Sequence, residues 1–153
     1  MIPTQVRTVS FYRLEGTKRH YGPRDIAQYW PQMLSILRIM VGLLFLEHGT
    51  YKLLGFPHGP SPMPAFGTLA WVQGVIELAG GAMLALGVFT RPVAFVLAGD
   101  MAVAYFMAHA PKGFFPVLNG GDAAILYCFV FLFLFVAGPG PWSVDAMVQR
   151  NDG

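Results

Sequence analysis

Titratable side chains stand where this chain is otherwise apolar. Arg38, Glu47, His48 and Lys52 fall in the run 34–54, Glu77 in 69–88, Asp100 and His109 in 92–110, and Asp122 opens 121–138. Ionisable groups inside such runs are costly and mark proton relays, ion paths or ligand sites. Carboxylates beside imidazoles can exchange protons, which makes His48, Glu77 and Asp100 the candidate chemical centre. Glu47, His48, Glu77 and Asp100 are also hard and borderline donors suited to iron, zinc or manganese. No HxxxH or ExxH pair is present, so metal ligands must come singly from different helices. A polar network that merely holds helices together stands beside both readings.

These groups need elements to hold them, and composition says where those elements lie. Of 153 residues 55% are hydrophobic and 12% charged, against about a quarter charged in a soluble domain. That leaves too little polar surface to coat a globule in water. Pro31, the Gly/Pro-rich stretch 55–67, Thr90-Arg91-Pro92, the loop 111–121 and Gly138-Pro139-Gly140-Pro141 divide the apolar runs. The expected architecture is all-α, an integral membrane four-helix bundle. Gly42, Gly74, Gly80, Gly81 and Gly99 would weaken helices in water but allow close helix approach in lipid, as does the line Ala94, Ala98, Ala102. Residues 1–33 read as a basic interfacial tail, 34–138 as the membrane domain and 139–153 as a short closing tail.

At a rise of about 1.5 Å per residue, Glu47 and His48 lie roughly 10 Å below one boundary, Glu77 roughly 12 Å and Asp100 roughly 15 Å. Three helices thus bring their acids and imidazole to nearly one level. Lys52, His109 and Asp122 stand at the mouth above them, with Tyr51 and Tyr105 just beneath. Helical spacing puts Arg38, Phe45, His48 and Lys52 on one stripe and turns Glu47 toward a different neighbour. On the third helix, Asp100 and His109 lie about 180° apart by the same count. Arg38, near the opposite end, reads as a snorkelling anchor.

Orientation follows from charge. The tail cations Arg7, Arg13, Lys18, Arg19 and Arg24 share a side with Arg38, Arg91 and Arg150, leaving Lys52 and Lys112 on the other. The positive-inside rule then puts both termini in the cytoplasm, with Trp30 and Trp142 at the inner interface and Trp71 at the outer one. The basic tail, interleaved with aromatics and leading into a span, fits anionic lipid rather than nucleic acid. The single cysteine, Cys128, sits in an apolar run and excludes intrachain dithiol chemistry. No signal peptide precedes the first run.

Several segments resemble the DoxX family. Leu37-Arg38, Gly42-Leu43-Leu44-Phe45-Leu46, His48-Gly49 and Lys52-Leu53 are similar to its first span. Ile76-Glu77-Leu78-Ala79-Gly80-Gly81 and Leu86-Gly87-Val88-Phe89-Thr90-Arg91 are similar to its second span and turn. His109-Ala110-Pro111, Phe114-Phe115, Asn119-Gly120-Gly121-Asp122, Gly138-Pro139-Gly140 and Ser143-Val144-Asp145 continue the likeness, which covers roughly residues 31 to 147. Asp122 stands where many members carry Glu, and Glu47 belongs at most to a subgroup.

The resemblance implies a small four-helix protein of the bacterial inner membrane. Its relatives include the small subunit of an archaeal thiosulfate:quinone oxidoreductase and a mycobacterial member linked to a membrane-associated oxidative-stress complex. It therefore implies a redox membrane subunit with quinone as cofactor. In that reading Glu47, Tyr51, Lys52, Tyr105, His109 and Asp122 bind the guest around His48, Glu77 and Asp100. Phe45, Tyr51, Phe106 or Phe114 pack the ring. The chain carries no haem pair, iron–sulfur spacing or nucleotide loop, so a protein partner must supply electrons. Its other partners are the lipid bilayer and, as an open alternative, further copies in a homo-oligomer; no nucleic acid is among them. A scaffold or small-solute transporter is the non-enzymatic alternative, although no broken mid-membrane helix points to transport.

Overall fold

The structure is a computed structural model and describes residues 26–151. The five tail cations before Arg38 lie outside these residues. Within them the chain is helical, without strands. A short 3-10 turn, Ile26–Tyr29, leads into α1 (Trp30–Leu54), α2 (Leu69–Leu86) and α3 (Thr90–Ala104). A π-helical turn, Tyr105–His109, and a 3-10 turn, Ala110–Lys112, extend α3. Then come α4 (Pro116–Asn119), α5 (Asp122–Ala137) and α6 (Val144–Asn151).

Three segments are long and apolar enough to cross a membrane: Ile26–Leu54, Leu69–Leu86 and Thr90–Lys112. The fourth long apolar helix, Asp122–Ala137, has 16 residues. Pro31 begins α1 instead of preceding it, because a proline in the first turn gives up an amide that the helix does not use. Thr68 caps α2 by accepting a hydrogen bond from Trp71 N at 3.3 Å.

The bundle is built as two close pairs, α1 on α2 and α3 on α5. Glycine sets the first pair. A Cβ at Gly42 would stand 2.6 Å from Ala85 N, and one at Gly81 2.5 Å from Leu46 N. A Cβ at Gly49 would strike the Leu78 backbone. This is the small-residue contact expected of helices in lipid. Ala94 and Ala98 are buried on α3, whereas Gly99 has nothing within 4 Å of an added Cβ. Between the pairs lies a core of Phe45, Leu84, Leu97, Phe131 and Leu134. Leu43, Phe95, Val96, Phe129 and Val136 remain exposed around the outside, a surface that only an apolar solvent can cover.

One end of the bundle is locked, and there the reading of Arg38 as a snorkelling anchor is overturned. Arg38 is fully buried, at 0% exposure. Its Nη1 donates to the carbonyls of Leu84 (2.5 Å) and Ala85 (2.7 Å), and its Nε to Pro139 O at 2.8 Å. Its Nη2 donates to Trp142 O. The guanidinium thus satisfies carbonyls at the end of α2, where the helix dipole also favours a cation, and it ties down the chain that returns after α5. Gly87, in the left-handed region at φ 71°, leaves the space that Arg38 occupies; an added Cβ would lie 2.8 Å from Nη1. Asp145 accepts from the amides of Phe89 and Thr90 at 2.8 Å each, capping α3. Arg91 donates to the Phe135 and Val136 carbonyls at 2.7 Å each, capping α5.

Candidate functional site

At the other end the two helix pairs part around a cavity of about 290 Å³. Phe45, His48 and Lys52 reach it from α1, Glu77 from α2, His109 from beyond α3 and Tyr127 from α5. The stripe on α1 therefore reaches the cavity at Phe45, His48 and Lys52 as its spacing predicts, with Phe45 buried and His48 exposed. Lys52 Nζ donates to Glu77 Oε1 at 2.7 Å, joining α1 to α2. Glu77 is only 2% exposed, and its Oε2 has no hydrogen-bond partner.

Asp100 sits behind this wall. It is 8% exposed, interacts with the Gln73 side chain and feels the charges of Glu77 and Lys52. Its Oδ2 is likewise without a partner. Lys52 thus bonds one buried carboxylate and acts on a second only through its charge, and each carboxylate has an unused oxygen.

The histidines share a pattern. His48 Nδ1 lies 2.8 Å from Leu44 O, and His109 Nδ1 lies 3.1 Å from Asn119 O. A carbonyl only accepts, so each Nδ1 carries a proton, which leaves Nε2 as the nitrogen free to exchange one. His48 also meets Tyr127 edge-on, with ring centroids 6.0 Å apart. Tyr127 in turn stacks on Phe131, which packs on Phe45.

His109 reaches the cavity because α3 does not stay α-helical. The π turn Tyr105–His109 inserts about one residue into the helical repeat, a rotation of about 100° from where a regular helix would carry the ring. Asn119, 4% exposed, holds the loop that receives it. Its Nδ2 donates to Gly113 O and its Oδ1 accepts from Gly121 N, both at 2.8 Å.

Other expected residues lie elsewhere. Glu47 is exposed and lines a second cavity with His48, Tyr51 and Pro57. Tyr51 holds the following loop, its hydroxyl accepting from Ser61 N at 3.2 Å. Tyr105 faces an apolar groove with Phe106 and Cys128 between α3 and α5, although its ring stacks on His109. Asp122 is exposed in the first turn of α5, where the helix dipole favours it. Phe106 and Phe114 point away from the cavity, and Tyr127, Gln73 and Asn119 are the participants that residue types alone did not single out. Among the described residues no three His, Cys, Asp or Glu side chains group so as to hold a metal ion.

This arrangement stands in the region where known proteins agree with the sequence. The profile of the DoxX family matches residues 33–110, from the first turns of α1 through His109. The chain belongs to the DoxX family. An uncharacterized protein of Haemophilus influenzae is 42% identical over 130 residues, 79% of this chain and 94% of that protein. An uncharacterized membrane protein of Mycobacterium tuberculosis is 27% identical across 90% of this chain and 94% of its own length. The inner membrane protein YphA of Escherichia coli is 29% identical over 79% of this chain and 94% of that protein. No solved structure matches. This DoxX chain is a membrane protein, and its Lys52–Glu77 pair lies inside the family-matched region.

Proposed function

We propose that this DoxX protein is the membrane subunit of a redox system, with its cavity serving as a proton-exchanging pocket for the ring of a quinone. The observation that carries this reading is the 2.7 Å Lys52–Glu77 pair on a cavity wall shared with two histidines. The unpartnered Glu77 Oε2 fits the reduced form of such a guest, the quinol, whose hydroxyl brings the donor that this buried acceptor lacks. The volume is at the low end of the 300–1,000 Å³ or so usual for ligand sites, enough for a ring and not for its tail.

A bound quinone supplies two-electron, two-proton redox chemistry, its electrons coming from a redox centre on a partner protein. The chain's own part is to hold and move protons. Lys52 and the two imidazoles present donors and acceptors to ring oxygens, while Phe45 and Tyr127 pack its face. Glu77 and Asp100, sharing one ammonium, have room for one exchangeable proton between them. His48, Glu77 and Asp100 are therefore the proton-exchanging groups of this proposal, with Lys52 and His109 orienting the guest. The same reading puts the protein in the bacterial inner membrane with both termini cytoplasmic and the cavity in the outer half.

The test is lipid extraction of purified protein together with quinone-dependent respiration in cells carrying His48→Ala. Co-purified quinone and reduced respiration are expected. No quinone and unchanged respiration overturn the proposal. A second reading, that the pair only fastens α1 to α2, predicts that Glu77→Ala lowers folded yield with no separate activity defect.

A further inference from the structure

The fourth long helix is too short for the bundle it belongs to. Its 16 residues rise about 24 Å, whereas the span Thr90–Lys112 has 23 residues and rises about 34 Å. Arg91 fixes the two level at the locked end by binding the Phe135 and Val136 carbonyls. The shortfall of about 10 Å therefore falls at the cavity end, where a hydrocarbon layer of about 30 Å still has to be spanned.

The segment filling that gap is apolar and uncovered. Phe114 is 86% exposed, Phe115 61%, Val117 74% and Leu118 81%. No charge lies between Lys112 and Asp122. Backbone at membrane depth needs its polar groups satisfied within the protein, and several in this segment are. Gly113 N donates to Ala110 O, Asn119 N to Phe115 O and Gly121 N to Pro116 O. Asn119 takes up Gly113 O and Gly121 N through its side chain, and its own carbonyl receives His109.

We infer that residues 114–118 insert among the lipid acyl chains and complete the fourth crossing, with Lys112 reaching back to the headgroups. The hairpin is then a lipid-facing surface and not an extramembrane loop. This holds whatever the cavity binds. It also sets the cavity rim at Gly120 against the membrane interface instead of bulk water.

The experiment is site-directed spin labelling of the full chain in phosphatidylcholine nanodiscs, in a Cys128→Ala background. Labels are introduced by Phe114→Cys, Val117→Cys and Leu118→Cys, with Lys112→Cys as the rim control. Collision with oxygen should exceed collision with a water-soluble nickel chelate at 114, 117 and 118 by several-fold, and that ratio should drop at 112. Chelate access at 114 and 118 equal to that at 112 overturns the inference by placing the loop in water. Exclusion of both relaxants overturns it in favour of a protein-covered surface. A cysteine variant that fails to fold is replaced by Phe115→Trp, whose fluorescence should be quenched by brominated lipid and not by iodide.

Discussion

The two ends of this bundle use charged side chains in opposite ways. At the locked end Arg38, Arg91 and Asp145 bind backbone groups at helix termini and in the returning chain, and every described hydrogen bond of Arg38 is to a carbonyl. At the cavity end Lys52 pairs with Glu77 within electrostatic reach of Asp100, and two carboxylate oxygens are left without partners. Burial does not separate them, since Arg38 and Glu77 are both almost wholly inaccessible. What separates them is whether the charge is fully satisfied by the fold. A satisfied buried charge is structural; an incompletely satisfied one beside a cavity is available for a guest.

The comparison breaks if stability does not follow satisfaction. Arg38→Leu should have the largest effect, about 3–5 kcal/mol, because it leaves buried carbonyls at the end of α2 without donors. A thermal midpoint in detergent close to wild type contradicts this. Next comes Gly49→Ala, expected to cost about 1–3 kcal/mol by driving a methyl into the Leu78 backbone. Gly99→Ala, with open space around it, should be nearly neutral in the same assay. Asp145→Ala removes the cap from the Phe89 and Thr90 amides and should cost about 1–2 kcal/mol, read from the same midpoint. Smaller than that of Asp145→Ala is the effect of Glu77→Gln, which keeps an acceptor for the partly exposed Lys52 and should cost about 1 kcal/mol. A loss equal to that of Arg38→Leu would make the cavity end a second lock.

Much of this was legible in the sequence, for identifiable reasons. Apolar runs between Gly/Pro breakers located the long helices, and rise per residue put His48 and Glu77 at a common depth. The period of 3.6 brought Phe45, His48 and Lys52 to the main cavity and kept Glu47 off it, although His48 also borders the second cavity beside Glu47. Arg38 was misread because position near a helix end suggests snorkelling, while its carbonyl partners lie 46 to 104 residues away along the chain. His109 lay beyond a uniform-helix count because the π turn changes the register locally. Tyr127 was hidden in an apolar run where nothing in its spacing distinguishes it from the phenylalanines beside it.

The most direct test of the difference between the ends is thermal unfolding in detergent with and without a decyl-tailed quinone held in its reduced, quinol form. A ligand that binds only the folded state at 100 times its Kd raises stability by about 2.7 kcal/mol. Wild type and Asp145→Ala should both gain midpoint with the quinone, the latter from a lower start, while Glu77→Gln should lose most of that gain. No gain in wild type, or an undiminished gain in Glu77→Gln, contradicts the account.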